Sequence, residues 1–234
     1  MKHVVVLGGT GAVGGAVARA ARKAGARVTL TYCTQEAKAR SLAEELKADA
    51  HRLDVRDSVS VRAFVDLAGK TDPPAAWIYC VGVLENAAFD ALTEEAWDAS
   101  FATNARGPFV ALRSVSSQLC ARGGGNVVIV GGLDRSQSLP IPVAYAATQG
   151  ALAALVMSSA KELGPKGIRV NMVALGLLSE GLSQGLSATL REDYVAFSAL
   201  RRLGSPSEAA RAIVWLALEN TYVTGKVIAV NGGI

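Results

Sequence analysis

The stretch 4-VVVLGGTGAVGGAVARA-20 decides the fold. A run of β-branched residues enters a cluster of glycines, and an alanine-rich pattern at helical spacing leaves it. Gly9-x-Gly11-x-x-Gly14 matches the dinucleotide fingerprint, with Gly8 and Gly15 offering alternative registers. The chemistry needs positions without side chains. There the backbone turns tightly and approaches a pyrophosphate, which then sits at the positive end of the first helix. The competing reading is a glycine-rich turn used only for packing.

Outward from this motif, short apolar runs alternate with longer helical ones. Strands are predicted at 3–7, 27–32, 50–55, 75–82, 126–132, 169–175 and 226–230, and alanine-rich helices include 13–25 and 208–219. Strand, helix, strand in repetition implies a parallel sheet covered on both faces, and right-handed crossovers make it doubly wound. The expected fold is therefore α/β, a three-layer αβα Rossmann domain, single over residues 1–234. The glycine- and serine-punctuated segment at about 177–200 is expected to lie over the carboxyl ends of the strands as a lid; a plain surface helix pair is the alternative.

The end of the second strand bears on the cofactor. An acid there would hold the ribose 2′-hydroxyl of NAD, but the chain reads Thr31-Tyr32-Cys33-Thr34-Gln35 before Glu36. That favours NADP(H), with NAD(H) as the alternative and no cofactor at all if binding has been lost. Asp54, ending strand three, is a candidate acceptor for the adenine amino group, or simply a turn residue.

Composition narrows the classes. The chain has 234 residues, half of them hydrophobic, and a formal charge of +4 without a basic block. Nucleic acid is a poor fit to that charge and to so few aromatics, whereas a small acidic ligand suits it. Cys33, Cys80 and Cys120 lack CxxC or Cys/His spacing, so neither disulfides nor a metal site is expected, and all three read as buried small hydrophobes. The apolar run before the first glycines is too short for a secretory or spanning segment, and no spanning helix is expected later, which points to the cytoplasm.

The quoted motifs carry a family resemblance across nearly the whole length. The glycine turn, Leu53-Asp54-Val55, Asn104 in FATNARGPF, Tyr145 in AYAATQGALAAL, GIRVNMVALG (167–176), RLGSPSEAARAIVWLA (202–217) and TGKVIAVNGGI (224–234) stand in order and at spacing. The chain resembles the short-chain dehydrogenases/reductases, nearest the 3-oxoacyl carrier-protein reductases. The resemblance implies a tyrosine that exchanges the substrate proton, a serine about thirteen residues earlier that holds the carbonyl, a lysine four residues later that tunes the tyrosine and grips the nicotinamide ribose, and an asparagine that supports a water relay. Tyr145 and Asn104 match. The serine position is Gly132 and the lysine position is Gln149. The resemblance also implies cofactor contacts at Gly8, Gly9, Gly11, Gly14, Asp54 and Gly82, with the Gln149 amide left to reach the ribose. Two further positions differ, Tyr79-Cys80-Val81-Gly82 after strand four and Leu175 after strand six.

These departures bear on activity. A free tyrosine titrates near pH ~10 and a close cation lowers an acid by ~1–3 units, so without the lysine Tyr145 stays neutral. A neutral phenol can donate in reduction but is a poor base for oxidation. Loss of one positioned donor costs ~10²–10³ in rate; Ser136 and Ser138, at the wrong spacing, are the alternative hydroxyls. The expected function is a catalytically impaired, nucleotide-binding subunit that pairs with itself or an active reductase paralogue through the small-residue face of 146–160. The alternatives are an active NADP(H)-dependent ketoreductase of an acyl-carrier or CoA thioester, and a dinucleotide-sensing regulator.

Overall fold

The computed structural model describes residues 1–70, 72–132 and 141–234. Seven strands form one parallel sheet: β1 (His3–Leu7), β2 (Arg27–Tyr32), β3 (Asp49–Arg52), β4 (Ala76–Tyr79), β5 (Gly125–Gly132), β6 (Ile168–Leu175) and β7 (Val227–Val230). Their spatial order is β3-β2-β1-β4-β5-β6-β7. The helices are α1 (Ala12–Lys23), α2 (Glu36–Leu46), α3 (Ser58–Gly69), α4 (Glu94–Phe101), α5 (Gly107–Ala121), α6 (Val143–Leu163), α7 (Ala188–Phe197) and α8 (Pro206–Leu218). A π-helical turn, Ala102–Arg106, joins α4 to α5.

Alternation along the strands builds two cores. Val5, Leu7, Trp77 and Tyr79 pack against α3, α5 and α6, while Val4, Val6, Ala76 and Ile78 pack against α1, α2 and α8. Both faces of β1 are thus buried, the reason its sequence is a continuous apolar run. The order reverses between β1 and β4, and the loops leaving these two strands diverge there to open a crevice.

Several expectations need correction. The predicted first two strands match, but the third ends at Arg52 and the fourth at Tyr79, with one last bond each from Leu53 N to the Tyr32 carbonyl and from Cys80 N to the Leu7 carbonyl. Cys33 and Cys120 are exposed and Cys80 is partly buried, so the cysteines are not uniformly core residues. Val143–Lys166 has the length and apolar composition of a spanning helix, a test that the core helix of a globular domain also passes. Here it is a layer of the fold, with Leu152, Ala153, Val156 and Ala160 in the core beside α5. Ser136 and Ser138 lie outside the described residues.

Candidate active site

The glycine turn is shaped by close approach. Gly8 has φ +81°, and a Cβ on Gly14 would lie 2.1 Å from the Gly8 carbonyl oxygen. Gly11 is different, since the nearest atom to its added Cβ is the Gly8 oxygen at 3.4 Å, and its open side faces the crevice. Gly11 caps α1 without a side chain and no acid stands in the first turn. By contrast, Asp57, Thr93, Ser187 and Ser205 cap α3, α4, α7 and α8 with side-chain oxygens. The start of α1 is thus left as bare N–H groups at the positive end of a helix dipole, the arrangement that suits a pyrophosphate.

The crevice is a cavity of ≈ 260 Å³. Gly11–Val13, Cys80–Gly82, Val130–Gly132 and Leu175–Leu178 line it from the ends of β1, β4, β5 and β6. From the 177–200 segment, Leu182, Ser183, Leu186 and Tyr194 line it as well. Among the hydrogen bonds that fix that segment, Ser183 Oγ accepts from Leu178 N at 3.0 Å, Asn86 Nδ2 donates to the Gly185 carbonyl at 2.7 Å, and Tyr194 Oη donates to the Asn231 carbonyl. The lining is apolar, and Glu180 is its one charged member among the described residues.

Tyr145, Asn104, Gly132 and Gln149 meet at one end of this cavity. Tyr145 follows the start of α6, and burial pushes its phenol up to about 12. Asn104 sits buried in the π-helical turn. Its Oδ1 accepts from Val83 N at 2.9 Å, and its Nδ2 donates to the Val83 carbonyl at 2.9 Å and to Thr148 Oγ1 at 3.3 Å. Gln149 Oε1 accepts from Gly132 N at 2.9 Å, and its Nε2 donates to Thr148 Oγ1 at 3.3 Å. The Thr148 hydroxyl donates to the Tyr145 carbonyl at 2.7 Å. The glutamine expected to reach a ribose is therefore turned into the strand end.

Thr148 and Val83 went unrecognised in the sequence, although both are central to this network. A threonine inside an apolar helix carries no distinctive signal, and a backbone acceptor carries none at all. Tyr79, at a departing position, donates its hydroxyl to the Thr103 carbonyl at 2.8 Å within the π-helical turn, and burial raises its pKa. Its phenol braces the π-helical turn through Thr103 and is not among the residues that line the cavity. Burial also pushes the Cys80 thiol up to about 12, leaving it protonated where it lines the cavity.

On the adenosine side, Asp54 is committed locally. Arg56 Nε and Nη2 donate to its two oxygens at 3.0 and 2.7 Å, and this pair holds the carboxyl below its usual range. Glu36 is paired with Arg40 one turn along α2, so neither acid near the end of β2 is unengaged. Lys38 and Arg40 are exposed.

A parallel doubly wound sheet, a bare helix N-terminus at its switch point and a tyrosine in the crevice define a Rossmann-type oxidoreductase fold. A family profile described as enoyl-(acyl carrier protein) reductase matches residues 9–234. An uncharacterised oxidoreductase of Methylorubrum extorquens is 32% identical over 100% of this chain and 97% of its own. The 3-oxoacyl-[acyl-carrier-protein] reductase of Staphylococcus aureus is 26% identical over 100% and 98%. The crystal structure of a dehydrogenase/reductase from Sinorhizobium meliloti superposes with a TM-score of 0.90 at 28% identity, covering 99% of this chain and 94% of that one. The chain belongs to the short-chain dehydrogenase/reductase family.

Proposed function

We propose that this protein binds a nicotinamide dinucleotide in the crevice and is impaired in hydride-transfer chemistry, acting as a subunit of an oligomer with itself or with a complete reductase paralogue. The observation that carries the reading is the engagement of Gln149. Its amide oxygen holds the Gly132 N–H and its nitrogen holds Thr148, so the position that would supply a cation to Tyr145 supplies an internal hydrogen bond. A tyrosine raised to about 12 stays protonated at neutral pH, and Gly132 offers no hydroxyl to a substrate carbonyl.

The residues present fit the dinucleotide. Gly8, Gly9, Gly11 and Gly14 form the turn, the bare start of α1 faces the cavity, and Gly82 stands opposite at the end of β4. A bound dinucleotide would supply the hydride. Gly11–Val13 would hold its pyrophosphate through backbone N–H groups, the segment around Leu182 would exclude water, and Tyr145 would keep the proton at its Oη. The lack of an unengaged acid after β2 favours NADP(H) over NAD(H). Assembly fits the outward face of α6, where Gly150, Ala151, Ala154 and Ser158 are exposed and small enough for another helix to approach closely.

A second reading is an active ketoreductase of a 3-oxoacyl carrier-protein or CoA thioester. It is favoured by Tyr145, which lines the cavity and in its neutral form can donate a proton to a carbonyl. Fluorescence titration with NADPH and NADH, followed by turnover on a 3-oxoacyl thioester, separates the two. Binding with turnover at least ~10³ below ordinary enzyme rates supports impairment. Rapid turnover that vanishes in Tyr145→Phe supports the ketoreductase, and copurification of a paralogue distinguishes a partner subunit from a regulator.

A further inference from the structure

The two residues that replace the serine and the lysine touch one another. Beyond Ile129, β5 has outrun β4 and keeps a ladder only with β6. Among the described residues, Gln149 Oε1 is the acceptor of the buried Gly132 N–H. The space around this strand end is filled to contact. A Cβ on Gly131 would lie 2.4 Å from Gln149 Oε1 and 2.5 Å from Met172 Cε. One on Gly132 would lie 2.7 Å from Tyr145 Oη and 3.3 Å from its Cε1. The phenol therefore rests where a side chain at 132 would stand.

We propose that Gln149 is a positioning residue for Tyr145: by accepting the Gly132 amide it holds the bare end of β5 against α6, so that Gly132 and Gln149 form one matched pair. The proposal deepens the reading of the same site and rests on the impaired-site interpretation only for its effect on turnover. It makes the two altered positions interdependent. Restoring a side chain at 132 alone drives the phenol out of its seat. A lysine at 149 alone removes the acceptor from Gly132 and places an ammonium beside donors and apolar groups.

The test uses the intact protein carrying tyrosine labelled with ¹³C at Cζ, the Tyr145 signal being assigned by Tyr145→Phe. Gln149→Met keeps the length and removes the acceptor. It should shift the Tyr145 resonance and lower Tm by roughly 3–10 °C, since a buried donor is left unpaired. Gln149→Glu, which retains an acceptor of the same reach, should keep the resonance near its wild-type position. Gly132→Ala should move the resonance strongly in the wild type and much less once Gln149→Met has released the strand end. Nucleotide affinity in Gln149→Met should stay within about threefold of wild type.

An unmoved Tyr145 resonance in Gln149→Met overturns the proposal. Additive effects of Gly132→Ala and Gln149→Met do so as well. A tenfold or greater loss of nucleotide affinity in Gln149→Met with the resonance unmoved would make Gln149 a cofactor ligand instead. A wild type that binds no nucleotide defeats the function proposed above, while the coupling is still decided by the resonance and Tm.

Discussion

The two ends of the crevice are built on different principles. At the β1–α1 end, recognition depends on backbone: a positive φ at Gly8, close approach at Gly14, and a helix start that no side chain caps. At the β5–α6 end, function in this family depends on side chains, and here they hydrogen-bond to one another. A site made of backbone persists as long as the fold does. One made of side chains can be rewired while the same fold stands.

The largest effects are expected at the glycine turn itself, where two neighbouring glycines should fail differently. Gly14→Val places a Cβ on the Gly8 carbonyl, and a loss above about 4 kcal/mol, or no folded protein, is expected by thermal unfolding. Gly11→Val points its side chain into the cavity. It should keep Tm within a few degrees of wild type while weakening nucleotide binding by about 100-fold or more in a fluorescence titration. Equal loss of stability in both would mean that the turn serves packing alone.

The next effect lies at the other end. Gly132→Ser with Gln149→Lys returns the carbonyl donor and the cation together. It should raise kcat/KM on a 3-oxoacyl thioester by about 10- to 100-fold over wild type, a gain that Tyr145→Phe removes. Each single change should gain little, because a side chain at 132 alone meets the Tyr145 hydroxyl and a lysine at 149 alone takes the acceptor from the Gly132 N–H. If either single change alone recovers the full increase, the two positions are independent.

How much of this was legible in sequence follows the same division. The apolar run 3–7, the glycines and the helical spacing of α1 and α8 specify local conformation directly, so the sheet and the crevice could be placed. Tyr145, Asn104, Gly132 and Gln149 could be located by spacing. Their bonding could not, because the partner of Gln149 is a backbone N–H seventeen residues away and Asn104 meets Thr148 only after the π-helical turn and α6 pack. The cysteines were misplaced for a related reason: burial depends on whether a strand end or helix end faces solvent, and Cys33 and Cys120 both stand at such ends.

The smallest expected effect lies far from the crevice, at the amino ends of the strands. His3 is buried at the start of β1, with Nδ1 against the Asp72 carbonyl at 2.7 Å and Nε2 against Thr29 Oγ1 at 2.9 Å. Burial holds its pKa below 6.5, with Arg27 adding to the depression and the Asp72 backbone contact and the Asp72 and Asp49 charges opposing it. The unfolded chain then takes up a proton that the folded chain resists. The His3 contribution is complete above the unfolded value near 6.5 and is lost as pH falls from there through the lower folded value. Tm should be flat in this respect above neutrality and fall by a few degrees under mild acid, and His3→Gln should flatten the decline. Nucleotide affinity should not follow this change, which separates the scaffold from the crevice.

Binding and turnover are read together by NADPH fluorescence recorded in a single sample of the purified protein, first through saturation and then after adding a 3-oxoacyl thioester. The expected result is a saturable signal that Gly11→Val abolishes, followed by decay at least ~10³ slower than an ordinary enzyme turns over. Rapid decay that Tyr145→Phe eliminates would contradict it, because the rewired end of the crevice would then be a working active site.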